Sequence, residues 1–201
     1  MRDLINYSFS KYFNILLLSF LTVIMLSCNG KNPNASSLDI AKKYYQALDK
    51  SNREVMSGLL EDTLYTVETD YNYKHAFTKE DYVNNWMVWD SLFNPTYTVL
   101  EIDTLNDQIK AIISKHDMRI QLLHEAPTVW TETMYIKDNK ITRIERQNVT
   151  FNDSIWIKNR AELINWVNIN HPELIGFLDG QNKSIGKKYL KAITLFNNSH
   201  Q

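Results

Sequence analysis

Residues 129–149 read VWTETMYIKDNKITRIERQNV. Val129 to Ile136 and Ile141 to Val149, both rich in β-branched and aromatic side chains, flank the polar turn Lys137-Asp138-Asn139-Lys140. Two strand-like runs on either side of a short polar turn predict an antiparallel hairpin. Alternate residues of a strand point the same way, so Trp130, Glu132 and Met134 share one side and Val129, Thr131, Thr133 and Tyr135 the other. Either side can be the interior. With Trp130 and Met134 inside, Glu132 points inward between apolar neighbours and becomes a candidate functional group. With the other side inside, it is a solvated surface charge.

Working outward from the hairpin, Tyr97 to Asp103 alternates, and Ile109 to Ser114 and Met118 to Leu123 are further strand candidates. Before Pro95 the period is helical. Ser36-Ser37-Leu38-Asp39 opens a helix like a capping box, with Leu38, Ala41, Tyr45 and Leu48 on one face. Ser51-Asn52-Arg53-Glu54 opens a shorter helix carrying Val55, Met56, Leu59 and Leu60. A strand at residues 63–69 and a connecting loop at residues 70–77, DYNYKHAF, follow. Thr78-Lys79-Glu80-Asp81 caps a third helix with Tyr82, Trp86, Trp89 and Phe93 on one side, stopped by Asn94-Pro95. In the tail, residues 159–168 and 184–196 are helical by spacing, and His171-Pro172 breaks between them. Helices first and antiparallel strands after predict an α+β fold, with helices on one face of a curved antiparallel sheet.

This order resembles the NTF2-like cone, in particular its SnoaL-like branch. The segments that carry the resemblance are AKKYYQALDKSNREVMSGLLEDTLYTVE (residues 41–68), FTKEDYVNNWMVWDSLF (77–93) and WTETMYIKDNKITRIERQ (130–147). It implies an NTF2-like domain over residues 38–150, with a C-terminal helical extension over 151–201. The resemblance also implies a mostly apolar hollow inside the cone. Enzymes of this fold resemble one another in using an Asp–His or Asp–Tyr pair there for acid–base work on a small cyclic or carbonyl compound. Asp70 and His75, with Glu132, are the candidate catalytic residues. Tyr65, Trp86, Trp89, Trp130 and Met134 are the candidate pocket lining. For each the plainer reading stands beside this one: a loop Asp forms turns, a loop His is exposed, and aromatics at helical spacing pack a core. Tyr65 and His124 are weaker candidates of the same kind. His116-Asp117 reads as a turn at a strand end. Lys187, Lys188 and Lys191 read as a solvated helix face.

Residues 1–27 carry their own signal. Arg2 and Lys11 precede an apolar run from Tyr12 to Ser27, and Cys28, the single cysteine, follows it. A basic start, an apolar stretch and a small residue before a cut is an export signal. A lone cysteine just after the cut resembles the acceptor of a bacterial lipoprotein, although Leu26 is large for its place. A cleaved signal without lipid, or a membrane anchor, are the alternatives. Lipidation of Cys28 would make the membrane a partner through acyl chains. Asn29 after the cysteine resembles sorting to the outer membrane, facing the periplasm. Residues 28–37 are polar and turn-rich and read as a flexible tether.

The chain has 201 residues and a net charge of −1. Nucleic-acid binding runs on a basic field, so a nearly neutral chain argues against it. One cysteine forms no intramolecular disulfide, and the five histidines lack metal-ligand spacing, so neither a metal nor a cofactor is expected. Five Trp, eleven Tyr and eight Phe are enough to line a cavity as well as fill a core. Asp62-Thr63-Leu64, Asp90-Ser91-Leu92, Asp103-Thr104-Leu105 and Asp153-Ser154-Ile155 resemble acceptor triplets for periplasmic O-glycosylation, although helix caps give the same letters. Three functions follow as expectations: binding of a small amphipathic ligand or a protein partner, acid–base catalysis of the SnoaL type, and assembly through the C-terminal helices, for instance with a second copy of the chain.

Overall fold

The computed structural model describes residues 33–200, with side chains from residue 37 onward. The export signal, Cys28 and the first part of the tether lie outside the described residues. Helix α1, Pro33–Asp49, starts inside the expected tether. Proline suits a first helical turn, because its φ is preset and its missing N–H would have no partner there. Ile40, Ala41, Tyr44, Tyr45 and Leu48 form its buried face. Helix α2 is Arg53–Leu59, capped by the Asn52 side chain, which accepts from Val55 N.

Strand β1 is Leu60–Glu68 and, after a 3-10 turn at Thr69–Tyr71, β2 is Tyr73–Thr78. The loop expected at residues 70–77 is therefore half strand. β2 pairs with β1 alone, so it is an edge strand with few buried positions and no apolar run to reveal it. Residues 79–91 form α3 in three parts: an α-turn Lys79–Asp81, a π-helical turn Tyr82–Trp86 and an α-turn Met87–Ser91. The Thr78 side chain caps it by accepting from Asp81 N, as its sequence predicts. The extra residue of a π-turn rotates the faces on either side of it. Tyr82 accordingly meets the sheet side, and Trp89 meets the C-terminal helices.

Strands β3 (Thr96–Leu105), β4 (Gln108–His116), β5 (Thr128–Lys137) and β6 (Lys140–Asn148) complete one six-stranded sheet of order β2-β1-β6-β5-β4-β3. Neighbours are antiparallel except β1 and β6, which run parallel, a departure from the purely antiparallel sheet expected. Register breaks fall in β1, β3 and the β5–β6 pair. Such bulges bend a strand and raise its twist, which curls the sheet. Between β4 and β5, Met118–Leu123 is helix α4, not the strand expected. The Asp117 side chain caps it by accepting from Ile120 N, and that local bond decides the segment. The result is an α+β, NTF2-like cone: a curved sheet with α1 and α3 on its concave face.

The extension begins with α5, Asp153–Asn170, capped by Asn152, and ends with α6, Lys183–Ser199, capped by Asn182. α5 starts six residues before its apolar spacing does, because its first turns face solvent or loop. Leu163, Val167, Tyr189 and Ile193 pack against Trp89 and Phe93 of the third helical segment and Leu123 of α4. This second core lies beside the first, which holds Tyr44, Tyr82, Ile113, Met134 and Ile144. α6 comes closest to α3 at Gly186, where a Cβ would stand 2.9 Å from the Trp89 ring. Residues 33–200 thus form one compact unit. Among them no helix is long and apolar enough to cross a membrane.

Candidate functional site

Deep inside the cone the space is filled. Tyr44 Oη and Tyr82 Oη share a hydrogen bond of 2.8 Å, and Trp86 stacks on Tyr82 with ring centroids 4.7 Å apart. Glu132 is 2 % exposed and faces inward on the side shared with Trp130 and Met134. Its Oε2 accepts from Trp130 Nε1 at 2.7 Å and from Arg146 Nε at 3.2 Å. Arg146 stands opposite Glu132 across the β5–β6 pair. Glu132 Oε1 and Tyr45 Oη are both buried without a hydrogen-bond partner among the described residues. Burial, and then the Glu132 charge, push the Tyr45 phenol well up. Burial works against the Arg146 charge and Glu132 outweighs it, so the guanidinium stays ionised.

A second buried polar cluster joins α3, β4 and α4. Asp90 Oδ1 accepts from Lys115 Nζ at 2.6 Å and from Arg119 Nη2 at 2.7 Å, and Asp90 Oδ2 accepts from Tyr97 Oη at 2.8 Å. Asp117 Oδ2 meets the same two cations. The charges balance. Burial opposes ionisation of Asp90, yet Lys115 and Arg119 hold its carboxyl below the usual range. Aromatic rings enclose the cations: the Arg119 guanidinium lies 4.2 Å from the Trp89 ring centroid, and Lys115 Nζ lies 4.8 Å from that of Tyr97.

At the mouth, where β1, β4 and β6 end and β5 begins, a recess of about 220 Å³ remains open. Trp130, Tyr71 and Phe151 form its apolar walls, with Arg146 and Lys115 at the base and Glu68 and Asp70 on the rim. Arg146 lies over the Trp130 ring at 5.5 Å. Its Nη1 and Nη2 make no hydrogen bond to a described residue, so they remain as donors beside the recess. The extension contributes Phe151, whose ring stacks on His124 at 5.1 Å. His124 Nε2 accepts from Asn152 N, so Nδ1 carries the proton and gives it to Ala126 O.

Trp130 and Asp70 therefore line this site, and Glu132 is joined to it through its bonds to Trp130 and Arg146. Asp70 Oδ2 accepts from Asn148 N at 2.6 Å, so the carboxylate closes a chain crossing. His75 stands apart on β2, between Tyr73 and Phe77 in a ladder of rings. Met134 is fully buried in the first core, Trp86 is half-buried beside it, and Trp89 belongs to the second core. Tyr65 corrects the expectation: it is 54 % exposed and lies with Arg143 on the opposite side of the sheet, because odd positions of β1 point away from Leu64. The O-glycosylation-like triplets fall in different settings: Asp90 is buried, whereas Ser154 is exposed at the start of α5. Among the described residues no cluster of three His, Cys, Asp or Glu side chains could hold a metal. Sequence reasoning missed Arg146, Lys115, Asp90 and Arg119.

No protein-family model matches the chain, and no curated protein does. Solved structures do. A candidate ketosteroid isomerase from Kribbella flavida is 11% identical, over 60% of this chain and 82% of its own, with a TM-score of 0.49. An NTF2-like protein of unknown function from Cytophaga hutchinsonii is 12% identical, over 55% and 88%, with a TM-score of 0.43. A candidate polyketide cyclase from Sinorhizobium meliloti is 18% identical, over 54% and 94%, with a TM-score of 0.45. What makes this chain an NTF2-like cone is its own strand order and the helices seated on the concave face.

Proposed function

We propose that the protein is a cell-envelope lipoprotein whose NTF2-like domain binds a small amphipathic ligand in the recess at the mouth of the cone. The observation that carries the binding reading is Arg146. One edge of its guanidinium is fixed by Glu132 and the other is free beside an aromatic wall. A site of that kind takes a flat ring against Trp130 and Phe151, with a carbonyl or similar acceptor on Arg146. Acid–base catalysis has less support. A proton carrier works best near neutrality. Here Tyr44, Tyr82 and Tyr97 are pushed up by burial, and Asp90 is held low by its cations. Glu132 is engaged by Trp130 and Arg146.

A thermal-shift screen of small ring compounds carrying one acceptor group tests the binding reading. A ligand at a hundred times its Kd adds about 2.7 kcal/mol of stability. For a domain of this size that raises Tm by roughly 5–10 °C. Arg146→Met is expected to abolish the shift in a protein that is less stable but still folded, because Glu132 loses its cation and keeps only Trp130 as a donor. A screen without hits, or hits that persist in Arg146→Met, would remove the reading.

The anchoring reading comes from the basic start, apolar run and single cysteine at residues 2–28. Metabolic labelling with an alkynyl fatty acid is expected to tag the native chain. Cys28→Ala should lose the tag and leave the membrane fraction. A tag retained in Cys28→Ala would defeat lipidation at that residue.

A further inference from the structure

Charge decides which ring compound the recess at the mouth of the cone can take. Two cations and two carboxylates line it: Arg146 and Lys115 at the base, Glu68 and Asp70 on the rim. An arginine beside a lysine suggests an anion site, but both are already matched by buried carboxylates. Arg146 is paired with Glu132, and Lys115 with Asp90 and Asp117. Arg119, the other cation of that cluster, shares the same two aspartates. The base therefore offers directed N–H groups without surplus positive charge.

The rim has the opposite balance. Glu68 is exposed, and its side chain forms no ion pair or hydrogen bond with a described residue. It stands opposite Arg146 across the parallel β1–β6 pair, yet the guanidinium gives its Nε–H to Glu132. Asp70 accepts from Asn148 N through Oδ2, which leaves Oδ1 over. Asp153, at the start of α5, adds a third negative charge and accepts from Tyr71 Oη at 2.8 Å. Their field is felt at Tyr71, whose phenol is pushed up to about 12, first by burial and then by Asp153, Asp70 and Glu68. A negative rim without a matching cation repels anions and attracts cations. The electron-rich faces of Tyr71 and Phe151 add to that, because an aromatic face holds an ammonium. Among the described residues no group of acids could hold a metal ion, which leaves an organic cation. The aromatic walls and the free edge of Arg146 make the site; the rim acids set the charge of what enters it. On the reading that the recess binds a ring compound, we infer that the ring carries a protonated amine, with an acceptor on Arg146 at the base and the amine beside Glu68 and Asp70 at the rim.

Three probes share a ring and a phenol oxygen and differ chiefly in side-chain charge. At neutral pH tyramine is a cation, tyrosol is neutral and 4-hydroxyphenylacetate is an anion. The full chain, in nanodiscs of zwitterionic lipid, is titrated with each and read by calorimetry. Tyramine is expected to bind one site at least tenfold tighter than tyrosol, with the acid weakest. Salt should erode that order: between about 0.01 M and about 1 M the Debye length falls from about 30 Å to about 3 Å, and the preference should shrink at least threefold. Glu68→Gln combined with Asp70→Asn keeps the shape of the rim and an oxygen for Asn148 N, and should bring tyramine to within threefold of tyrosol. Both acids line the recess and not the opening at Trp156 and Arg160, so that loss places the amine in the recess. A tenfold preference kept by the double variant would overturn the inference. Binding of tyrosol or the acid as tight as that of tyramine would overturn it too, and leave the ring-binding recess standing. No binding by any of the three would overturn it and count against the recess as well.

Discussion

Asp90→Ala is expected to destabilise the domain by about 3–5 kcal/mol, the usual cost of removing one partner from a buried ion pair. Asp90 is the hub of its cluster: it accepts from Lys115, Arg119 and Tyr97 within 2.8 Å. Without it, Asp117 alone faces two buried cations, and Tyr97 loses the acceptor for its hydroxyl. The rings of Trp89, Phe93 and Tyr97 around those cations leave water little room to compensate. A domain whose total stability is about 5–15 kcal/mol would be brought close to unfolding. Urea denaturation should show a lower midpoint with an unchanged slope. The pH dependence has a definite sign. The folded Asp90 carboxyl titrates below its unfolded value of about 3.9, so its contribution is complete above that pH and fades as pH falls further. Asp90→Asn should lose that part of the pH dependence and keep the part that other carboxylates held low in the fold, such as Asp49, contribute. A change under about 1 kcal/mol in Asp90→Ala would show that the cluster gives no net stability, as some buried ion pairs do not.

The sequence made the hairpin, the α1 face, the Thr78 cap and the C-terminal helices legible, because each is written in a local period, a local turn or a local cap. It hid β2, since an edge strand with one neighbour need not be apolar. It hid α4 too: MRIQLL is too short to show a helical period, and only the Asp117 cap distinguishes it from a strand. The buried ion cluster was hidden for a different reason. Its members come from three elements, and no spacing in the chain links position 90 to 115 or 119. One signal was available. Lys115 continues the inward face of Ile109, Ala111 and Ile113, and a charge at the end of an apolar face needs a partner.

Arg146 was out of reach of the sequence because of a bulge. Lys137 pairs with Lys140 and Ile136 with Ile141, and continuing that register would set Glu132 opposite Glu145, two like charges. The register slips by one between Ile136 and Tyr135, so Glu132 meets Arg146 instead. A one-residue slip exchanges the faces of a strand, and here it brings a cation into the cone beside the one inward carboxylate of β5.

That pairing yields the second large effect. Glu132→Ala should cost roughly 2–4 kcal/mol, somewhat less than Asp90→Ala, because Arg146 can turn toward the recess while Trp130 Nε1 stays buried without an acceptor. Glu132→Gln keeps an oxygen for Trp130 and loses only the charge, so it should recover at least half of the loss. The two variants also separate structure from binding. With Glu132 gone, the Arg146 guanidinium is no longer held edge-on at the base of the recess, and any ligand found by thermal shift should lose affinity by at least tenfold even where Glu132→Gln is well folded. Calorimetry on Glu132→Gln decides the point. Full affinity there would mean that Arg146 finds its place without the carboxylate, and Glu132 would then be a support for Trp130 alone.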